Sequence, residues 1–211
     1  MNEKEHVWHR ETVDERVERT LGEIHGVPVA ARFYLAGGTG LALHLGHRRS
    51  ADLDFFLGED FDVETVLQKV QQLEGFSLVS KSPGTIYATV RQTKVSFIAY
   101  AYPVLFPFTQ FLGANVADPR DIGCMKISAI AGRGTKRDFV DLHVLSQRYG
   151  LDQLLAWFKE KFARTNYSMV HVLKSLAYFE EAERDPMPDM LIPLSWDEVK
   201  RFFTREAARL L

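Results

Sequence analysis

Cysteine is scarce in this sequence, whose 211 residues include a single one, Cys124. One cysteine excludes an intrachain disulfide framework and any zinc site built from several thiolates. The HExxH pattern of zinc proteases is also absent. We therefore expect a protein of a reducing compartment that does not depend on disulfides or on a thiolate zinc site.

The chain also has little net charge and no long apolar run. Its formal net charge is −2 with a pI of about 6.4, so any contact with nucleic acid requires a local basic patch. The most apolar stretch, residues 96–108, is interrupted by Pro103 and Pro107 and is shorter than the roughly 20 residues of a spanning helix. The N-terminus is charged and has no apolar signal-peptide core. These absences predict a soluble, cytoplasmic protein that binds no membrane.

The order of the predicted elements divides the chain into two parts. Helices and strands alternate up to about residue 118, and only helices follow, which predicts an α/β domain over 1–118 and a helical domain over 119–211. The hydrophobic periodicity and the turn residues predict helices at 12–24, 41–45, 62–73, 121–131, 136–148, 151–162, 168–183 and 196–211, and strands at 32–36, 51–57, 76–80, 85–90 and 94–102.

Two motifs in the first part carry candidate chemistry. The turn Gly37-Gly38-Thr39 lies between a strand and a helix, where backbone N–H groups and the helix dipole receive phosphate oxygens. Asp52 and Asp54 follow at i and i+2 of a strand and would share one face. Two adjacent carboxylates need a cation, and Mg²⁺ or Mn²⁺ carrying substrate phosphates suits them. The alternatives are an ordinary β-to-α turn and an acidic edge strand in solvent.

The sequence resembles a known family at these motifs. Residues 33–56, FYLAGGTGLALHLGHRRSADLDFF, and residues 124–145, CMKISAIAGRGTKRDFVDLHVL, are similar to the nucleotidyltransferases of the AbiEii/AbiGii toxin family, within the polymerase-β-like superfamily. The resemblance implies an α+β fold, with a mixed-sheet nucleotidyltransferase domain followed by a helical bundle. It also implies site residues: Gly38 and Thr39 for the nucleotide, Asp52 and Asp54 for the metal, and Lys126 and Asp141 to complete the active site.

The second motif block agrees with this interpretation in part. Lys126 lies on a helix among apolar residues, where its ammonium would reach a triphosphate or else remain a solvated surface lysine. Residues 120–148 contain six basic and three acidic residues, a local patch that suits phosphate or RNA, although such a cluster is often a solvated loop. Arg137 belongs to this patch. Thr135 and Asp138 have the spacing of a capping box, which would make Asp138 structural and Asp141 the functional acid.

Two further positions leave alternatives open. Arg48, next to Arg49, precedes the acidic strand and either binds phosphate or pairs with Asp52. Ser96 stands where the superfamily resemblance would place a third metal-binding carboxylate, and no acid occurs between residues 92 and 110. Either two strand acids suffice with help from Asp141, or catalysis is weakened or lost.

Together these features predict an enzyme that transfers a nucleotide from an NTP to an acceptor. By resemblance, the acceptor is RNA, in particular the 3′ end of tRNA, and the protein is the toxin of an abortive-infection type toxin–antitoxin pair with a cognate antitoxin protein. The alternatives are a nucleotide- or RNA-binding module that kept the fold but lost turnover, and a protein-interaction scaffold.

Overall fold

The computed structural model describes residues 6–211. The part of the signal-peptide prediction that concerns residues 1–5 therefore lies outside the described residues. The chain divides into two compact units, Met1–Asp118 and Pro119–Leu211. No helix in the described part of the chain is both long enough and apolar enough to cross a bilayer.

The first unit is built on a mixed sheet with the strand order β3-β4-β5-β2-β1-β7-β6. β2 pairs in parallel with β5 and antiparallel with β1, and β1 pairs in parallel with β7. The strands are β1 (Tyr34–Leu35), β2 (Leu53–Leu57), β3 (Ser77–Ser82), β4 (Thr85–Val90), β5 (Thr93–Ala99), β6 (Thr109–Phe111) and β7 (Ala114–Val116).

Helices accompany this sheet and make up the second unit. Three of them, α1 to α3, belong to the first unit, and the α+β fold with a mixed sheet and a helical C-terminal part is confirmed. The helices are α1 (Glu15–His25), α2 (Gly37–Leu45), α3 (Val63–Val70), α4 (Pro119–Arg133), α5 (Lys136–Tyr149), α6 (Leu151–Lys161), α7 (Met169–Ser175), α8 (Glu180–Glu183) and α9 (Trp196–Leu210).

The core of the first unit lies on one face of the sheet. Leu53 and Phe55 of β2 and Phe97 of β5 are buried there against Leu21 of α1 and Val66 of α3. Burial of such apolar area is the main favourable term in folding. Because strand side chains alternate between faces, the residues between these, including Asp54 and Ser96, belong to the opposite face of the sheet.

Polar residues start several helices as the sequence predicts. The carboxylate of Asp62 accepts from the backbone N–H groups of Glu64 and Thr65 at the start of α3. Thr135 and Asp138 form the predicted capping box of α5. Each cap satisfies N–H groups that have no acceptor inside the helix.

The structure corrects the predicted elements in four places. The predicted helix at 168–183 is two helices, α7 and α8, separated where Phe179 packs against Phe139 with ring centroids 5.2 Å apart. β6 and β7 were not predicted, because strands of three residues give almost no periodicity. α2 begins at Gly37 rather than at residue 41, and Asp52 precedes β2 rather than lying in it.

Candidate active site

Asp54 lies in the middle of the sheet, on β2. Its neighbours Leu53 and Phe55 are buried in the core, whereas Asp54 is half-buried on the opposite face. Asp52, also half-buried, lies just before the strand. The prediction that Asp52 and Asp54 share one face of a strand assumes that both lie in the strand. Only Asp54 lies in β2.

The first residue of α2 is in contact with the Asp54 carboxylate. Gly37 has φ +62°, and a Cβ atom at this position would lie 2.6 Å from Oδ2 of Asp54. The backbone N–H of Ala36 also donates to the Asp54 carbonyl oxygen at 3.0 Å. Only glycine accommodates both the left-handed conformation and the close approach. The chain thus places the N-terminus of α2 directly beside a carboxylate.

Arg48 lies against the next glycine of the same turn. A Cβ atom at Gly38 would collide with the Arg48 guanidinium. Arg48 is buried, and its Nη1 donates to the backbone oxygen of Arg49 at 3.0 Å. A buried guanidinium at a helix N-terminus adds to the positive potential that the helix dipole creates there.

The side chain of Thr39 holds the segment before β2 against α2. It is fully buried, and its hydroxyl donates to the carbonyl oxygen of Asp52 and lies 2.8 Å from the Ser50 hydroxyl. The predicted contact of Thr39 with nucleotide would therefore be made by its backbone N–H in the first turn of α2. The hydroxyl instead fixes the position of Asp52 relative to the turn.

Ser96 is the residue that faces Asp54 on the neighbouring strand. The two positions pair in the parallel register of β2 and β5, and the buried Ser96 hydroxyl donates to Oδ1 of Asp54 at 2.7 Å. The serine thus occupies the position at which the resemblance placed a third carboxylate. It orients the Asp54 carboxylate without adding a negative charge.

This donor set fits a magnesium ion that arrives with its substrate. Among the described residues, no group of three or more His, Cys, Asp or Glu side chains could hold a metal ion. Mg²⁺ is commonly bound by one or two carboxylates together with waters and substrate phosphates. Asp54, beside the first residue of α2, matches one carboxylate of that pattern, and Asp52 lies two residues before it, with its carbonyl oxygen held by Thr39.

A second cluster of predicted residues forms within the helical unit. The ammonium of Lys126, on α4, lies 2.8 Å from Oδ1 of Asp138 and 2.7 Å from Oδ2 of Asp141, both on α5. Lys126 is 8% exposed and Asp141 is fully buried. The alternative of a solvated surface lysine is therefore wrong, because two carboxylates fix its ammonium.

Asp138 has two roles in this cluster. Its Oδ2 accepts from the backbone N–H of Thr135 at 3.1 Å and from the Thr135 hydroxyl at 2.7 Å, which completes the capping box. Its Oδ1 accepts from Lys126. The interpretation of Asp138 as a helix cap is thus confirmed but incomplete. Arg137, on the first turn of α5, is exposed.

Cys124 lies on α4, two residues before Lys126, and is fully buried. Burial, together with the nearby Asp121 carboxylate, raises the pKa of Cys124 to about 12. A thiol with such a pKa remains protonated at neutral pH and is a poor nucleophile. The single cysteine is therefore part of the core and not of the candidate site.

A separate cleft of about 560 Å³ lies elsewhere in the first unit. Arg91 lines it and is held by the carboxylates of Glu23 and Glu74. None of the predicted site residues lines this cleft. Its size alone therefore does not make it the active site.

Comparison with a family model supports the resemblance that the sequence motifs carry. The family described as "Nucleotidyl transferase AbiEii toxin, Type IV TA system" matches residues 19–94 and 89–209. The chain belongs to the AbiEii nucleotidyltransferase toxin family. It is accordingly a nucleotidyltransferase. A relative from Aquifex aeolicus (strain VF5), the uncharacterized protein aq_aa25, is 36% identical over 197 residues, covering 90% of this chain and 94% of the relative.

Solved structures of similar fold extend over almost the whole chain. MenT4, a nucleotidyltransferase toxin from Mycobacterium tuberculosis, matches with a TM-score of 0.58 and 16% identity over 91% of this chain and 82% of its own. JHP933 from Helicobacter pylori matches with a TM-score of 0.54 and 16% identity over 93% and 92% of the two chains. At such identities the likeness shows the fold.

Proposed function

We propose that this AbiEii-family enzyme transfers a nucleoside monophosphate from an NTP to an RNA acceptor, with Mg²⁺ or Mn²⁺ as cofactor. We also propose that it acts as a toxin controlled by a cognate antitoxin protein. The observation that carries the proposal is the contact between the Asp54 carboxylate and the first residue of α2, Gly37. An anion-binding helix end and a metal-binding carboxylate meet there.

The start of α2 suits the triphosphate. The first N–H groups of a helix have no acceptor within it and, with the dipole, attract phosphate oxygens. Gly37 and Gly38 carry no side chain to prevent that approach, and the buried Arg48 adds positive charge beside Gly38. We assign triphosphate binding to this turn.

A phosphate beside Asp54 requires a cation between the two negative groups. Asp52 and Asp54 would hold Mg²⁺, with Ser96 keeping the Asp54 carboxylate oriented. The metal, when bound, would neutralise charge on the phosphates and polarise the reacting phosphoryl group. The assignment of Lys126 to the same reaction rests on the family resemblance alone, and its ammonium is paired with the Asp138 and Asp141 carboxylates.

The transfer is a substitution at the α-phosphorus of the NTP. A hydroxyl oxygen of the acceptor forms a bond to this phosphorus and loses its proton to solvent. The bond from the phosphorus to the oxygen that bridges the α- and β-phosphates breaks, and pyrophosphate leaves. The chain contributes position and charge rather than a covalent intermediate.

Labelled nucleotides test the proposal directly. The purified protein is incubated with Mg²⁺, total tRNA and each α-labelled NTP in turn, beside the Asp54→Ala variant. Asp60→Ala, at an exposed aspartate of the same unit, is the matched control. Label should enter RNA with the unmutated protein and with Asp60→Ala, and should require the divalent metal.

Other outcomes separate the alternatives. Label from the γ-phosphate would indicate a kinase, and α-label in protein would indicate a protein acceptor. NTP binding without any transfer would indicate a module that has lost turnover. Growth arrest on expression of the unmutated protein, absent with Asp54→Ala and relieved by a co-expressed antitoxin, tests the toxin role.

A further inference from the structure

The sheet face that carries Asp54 continues as an open surface over β5, β4 and β3. Asp54 pairs with Ser96, Ser96 pairs with Tyr87, and Tyr87 pairs with Ser80. Paired residues of neighbouring strands point to the same side of a sheet. These four residues therefore form one row across the sheet that begins at the candidate metal ligand.

Tyr87 is the prominent side chain of this row. It is 47% exposed, whereas its neighbours Ile86 and Ala88 are buried in the core on the other face. Two strand spacings separate it from Asp54, which is about 10 Å. A large aromatic ring exposed this close to a reaction centre has a flat surface available for stacking.

The charge of this region favours a polyanion. Residues 75–117 contain three basic residues and no aspartate or glutamate, in a chain with 28 acidic residues. Lys81 and Arg91 are paired with glutamates of other elements. Lys94, exposed on β5 and on the same face as Ser96, has no ion-pair partner within the described residues.

The strand order also decides which reactant this face can serve. β1, which leads into Gly37 and α2, lies on one side of β2, and β5, β4 and β3 lie on the other. In phosphoryl transfer the attacking and leaving oxygens are roughly in line on opposite sides of the phosphorus. If the pyrophosphate leaves on the α2 side of Asp54, the acceptor approaches from the side of Tyr87.

We propose that the face formed by Ser80, Tyr87, Lys94 and Ser96 binds the single-stranded end of the RNA acceptor. Tyr87 stacks on a base near the acceptor hydroxyl, and Lys94 contacts a backbone phosphate. This assignment rests on the proposed function and names the acceptor surface of that same site. Aromatic residues on open sheets are a recurrent way to bind unpaired bases, since every base has a flat face.

Fluorescence anisotropy with a labelled single-stranded RNA, in the absence of NTP, tests the surface without requiring turnover. Tyr87→Ala should weaken RNA binding by about 5- to 160-fold, the range expected for loss of one base stack. Tyr87→Phe, which keeps the ring, should bind as the unmutated protein does. Tyr178→Ala, at another exposed tyrosine, is the matched control and should leave RNA affinity unchanged.

The salt dependence of binding tests Lys94 separately. The logarithm of the RNA-binding constant falls linearly with the logarithm of the salt concentration. Lys94→Ala should make this negative slope shallower by about 0.7, the value for one phosphate contact on a single strand. Lys81→Ala is the matched control, because Lys81 lies on β3 of the same sheet but pairs with Glu64. Lys81→Ala should show the same salt dependence of RNA binding as the unmutated protein.

The outcomes distinguish this inference from the proposed function. Unchanged RNA binding by Tyr87→Ala, in a protein that still labels RNA, would overturn the surface and leave the function standing. Loss of NTP affinity with RNA binding intact would assign Tyr87 to the base of the NTP and overturn the inference. Loss of antitoxin binding alone would assign the face to a protein partner. An unmutated protein that neither binds nor labels RNA would overturn both proposals.

Discussion

Ser96 donates a hydrogen bond of 2.7 Å to the Asp54 carboxylate, from the position directly opposite on the adjacent parallel strand. The family resemblance led us to expect an acid at this position. A hydroxyl keeps the carboxylate oriented but adds no charge, so the metal would be bound by fewer protein charges. Such a site depends more on the phosphates of its substrate to complete the coordination of the metal.

Removal of this hydroxyl should lower the rate of nucleotide transfer. Ser96→Ala removes one hydrogen-bond donor from the Asp54 carboxylate, and a hydrogen bond to a charged group is worth about 1.5–3 kcal/mol. We expect kcat/KM for nucleotide transfer to fall about 10-fold or more. Ser96→Thr, which keeps a hydroxyl and suits a strand, should retain most of the activity. A kcat/KM of Ser96→Ala equal to that of the unmutated protein would show that this hydrogen bond does not contribute to nucleotide transfer.

A carboxylate at the same position should make the fold respond to metal. Ser96→Asp places two carboxylates in register, and their repulsion destabilises the folded protein unless a cation lies between them. We expect a lower thermal unfolding temperature in chelator, and a larger increase on addition of Mg²⁺ than the unmutated protein shows. An equal response of both proteins to Mg²⁺ would contradict the placement of the metal beside Asp54.

The local features of the sequence predicted much of the fold. β4 occurs at the predicted residues, 85–90, because its apolar and polar residues alternate and a Ser-Pro-Gly turn precedes it. α5 starts at Lys136, as the Thr135 capping box predicts. The alternation in β4 and the cap of α5 each involve only a few consecutive residues, so neither depends on the rest of the chain.

Long-range contacts account for what the sequence did not predict. The burial of Lys126 depends on carboxylates 12 and 15 positions further along the chain, and helical periodicity does not report such a pairing. β6 and β7 are joined by Leu112, with φ +49°, and Gly113. A leucine at such a φ is rare, and Leu-Gly is not one of the residue pairs from which a two-residue hairpin turn is usually predicted.

Tyr87 was not selected from the sequence, although a signal was present. In β4 it alternates with the apolar residues Ile86 and Ala88, which predicts that it faces away from the core. Its position in one row with Asp54 and Ser96 follows only from the register of β2, β5 and β4. Strand order and register are properties of the whole sheet and are not encoded locally.

A methyl group at Gly37 should disrupt the candidate site. Gly37→Ala forces an L-residue into φ +62° and places Cβ 2.6 Å from Oδ2 of Asp54. The conformation alone costs about 1–2 kcal/mol, and the displaced carboxylate should reduce transfer to background. Gly22→Ala is the matched control, since a Cβ there meets nothing within 4 Å on α1. It should leave activity intact and raise stability by up to about 1 kcal/mol.

The Lys126 cluster should be important for stability as well as activity. Lys126→Met removes the cation that pairs with the partly buried Asp138 carboxylate and the buried Asp141 carboxylate, and removal of one partner of a buried pair costs about 3–5 kcal/mol. Urea denaturation measures this change. Lys200→Met, at a partly exposed lysine paired with Glu183, should cost less than about 1 kcal/mol. A small, similar loss in both variants would mean that Lys126 does not hold the two acids.

The folding stability of the helical unit should depend on the protonation of His143. Its Nδ1 is buried without a hydrogen-bond partner in the described part of the chain, and its ring packs edge-to-face on Phe202, with centroids 5.0 Å apart. Burial lowers the pKa of His143 from 6.5, while the Glu198 carboxylate opposes the shift. At a pH near or below 6.5 the unfolded chain therefore binds more protons than the folded chain, and stability rises with pH.

The stability that neutral His143 contributes should thus be complete above pH 6.5 and be lost as the pH falls below that value. Urea denaturation at about pH 7.5 and about pH 5.5 measures the loss, to which other groups also contribute. His143→Phe keeps a ring against Phe202 but cannot be protonated, so it should lose less stability over this range. His171→Phe, at an exposed histidine, should retain the dependence of the unmutated protein. An equal loss of stability in His143→Phe and in the unmutated protein would show that His143 is not the group that titrates.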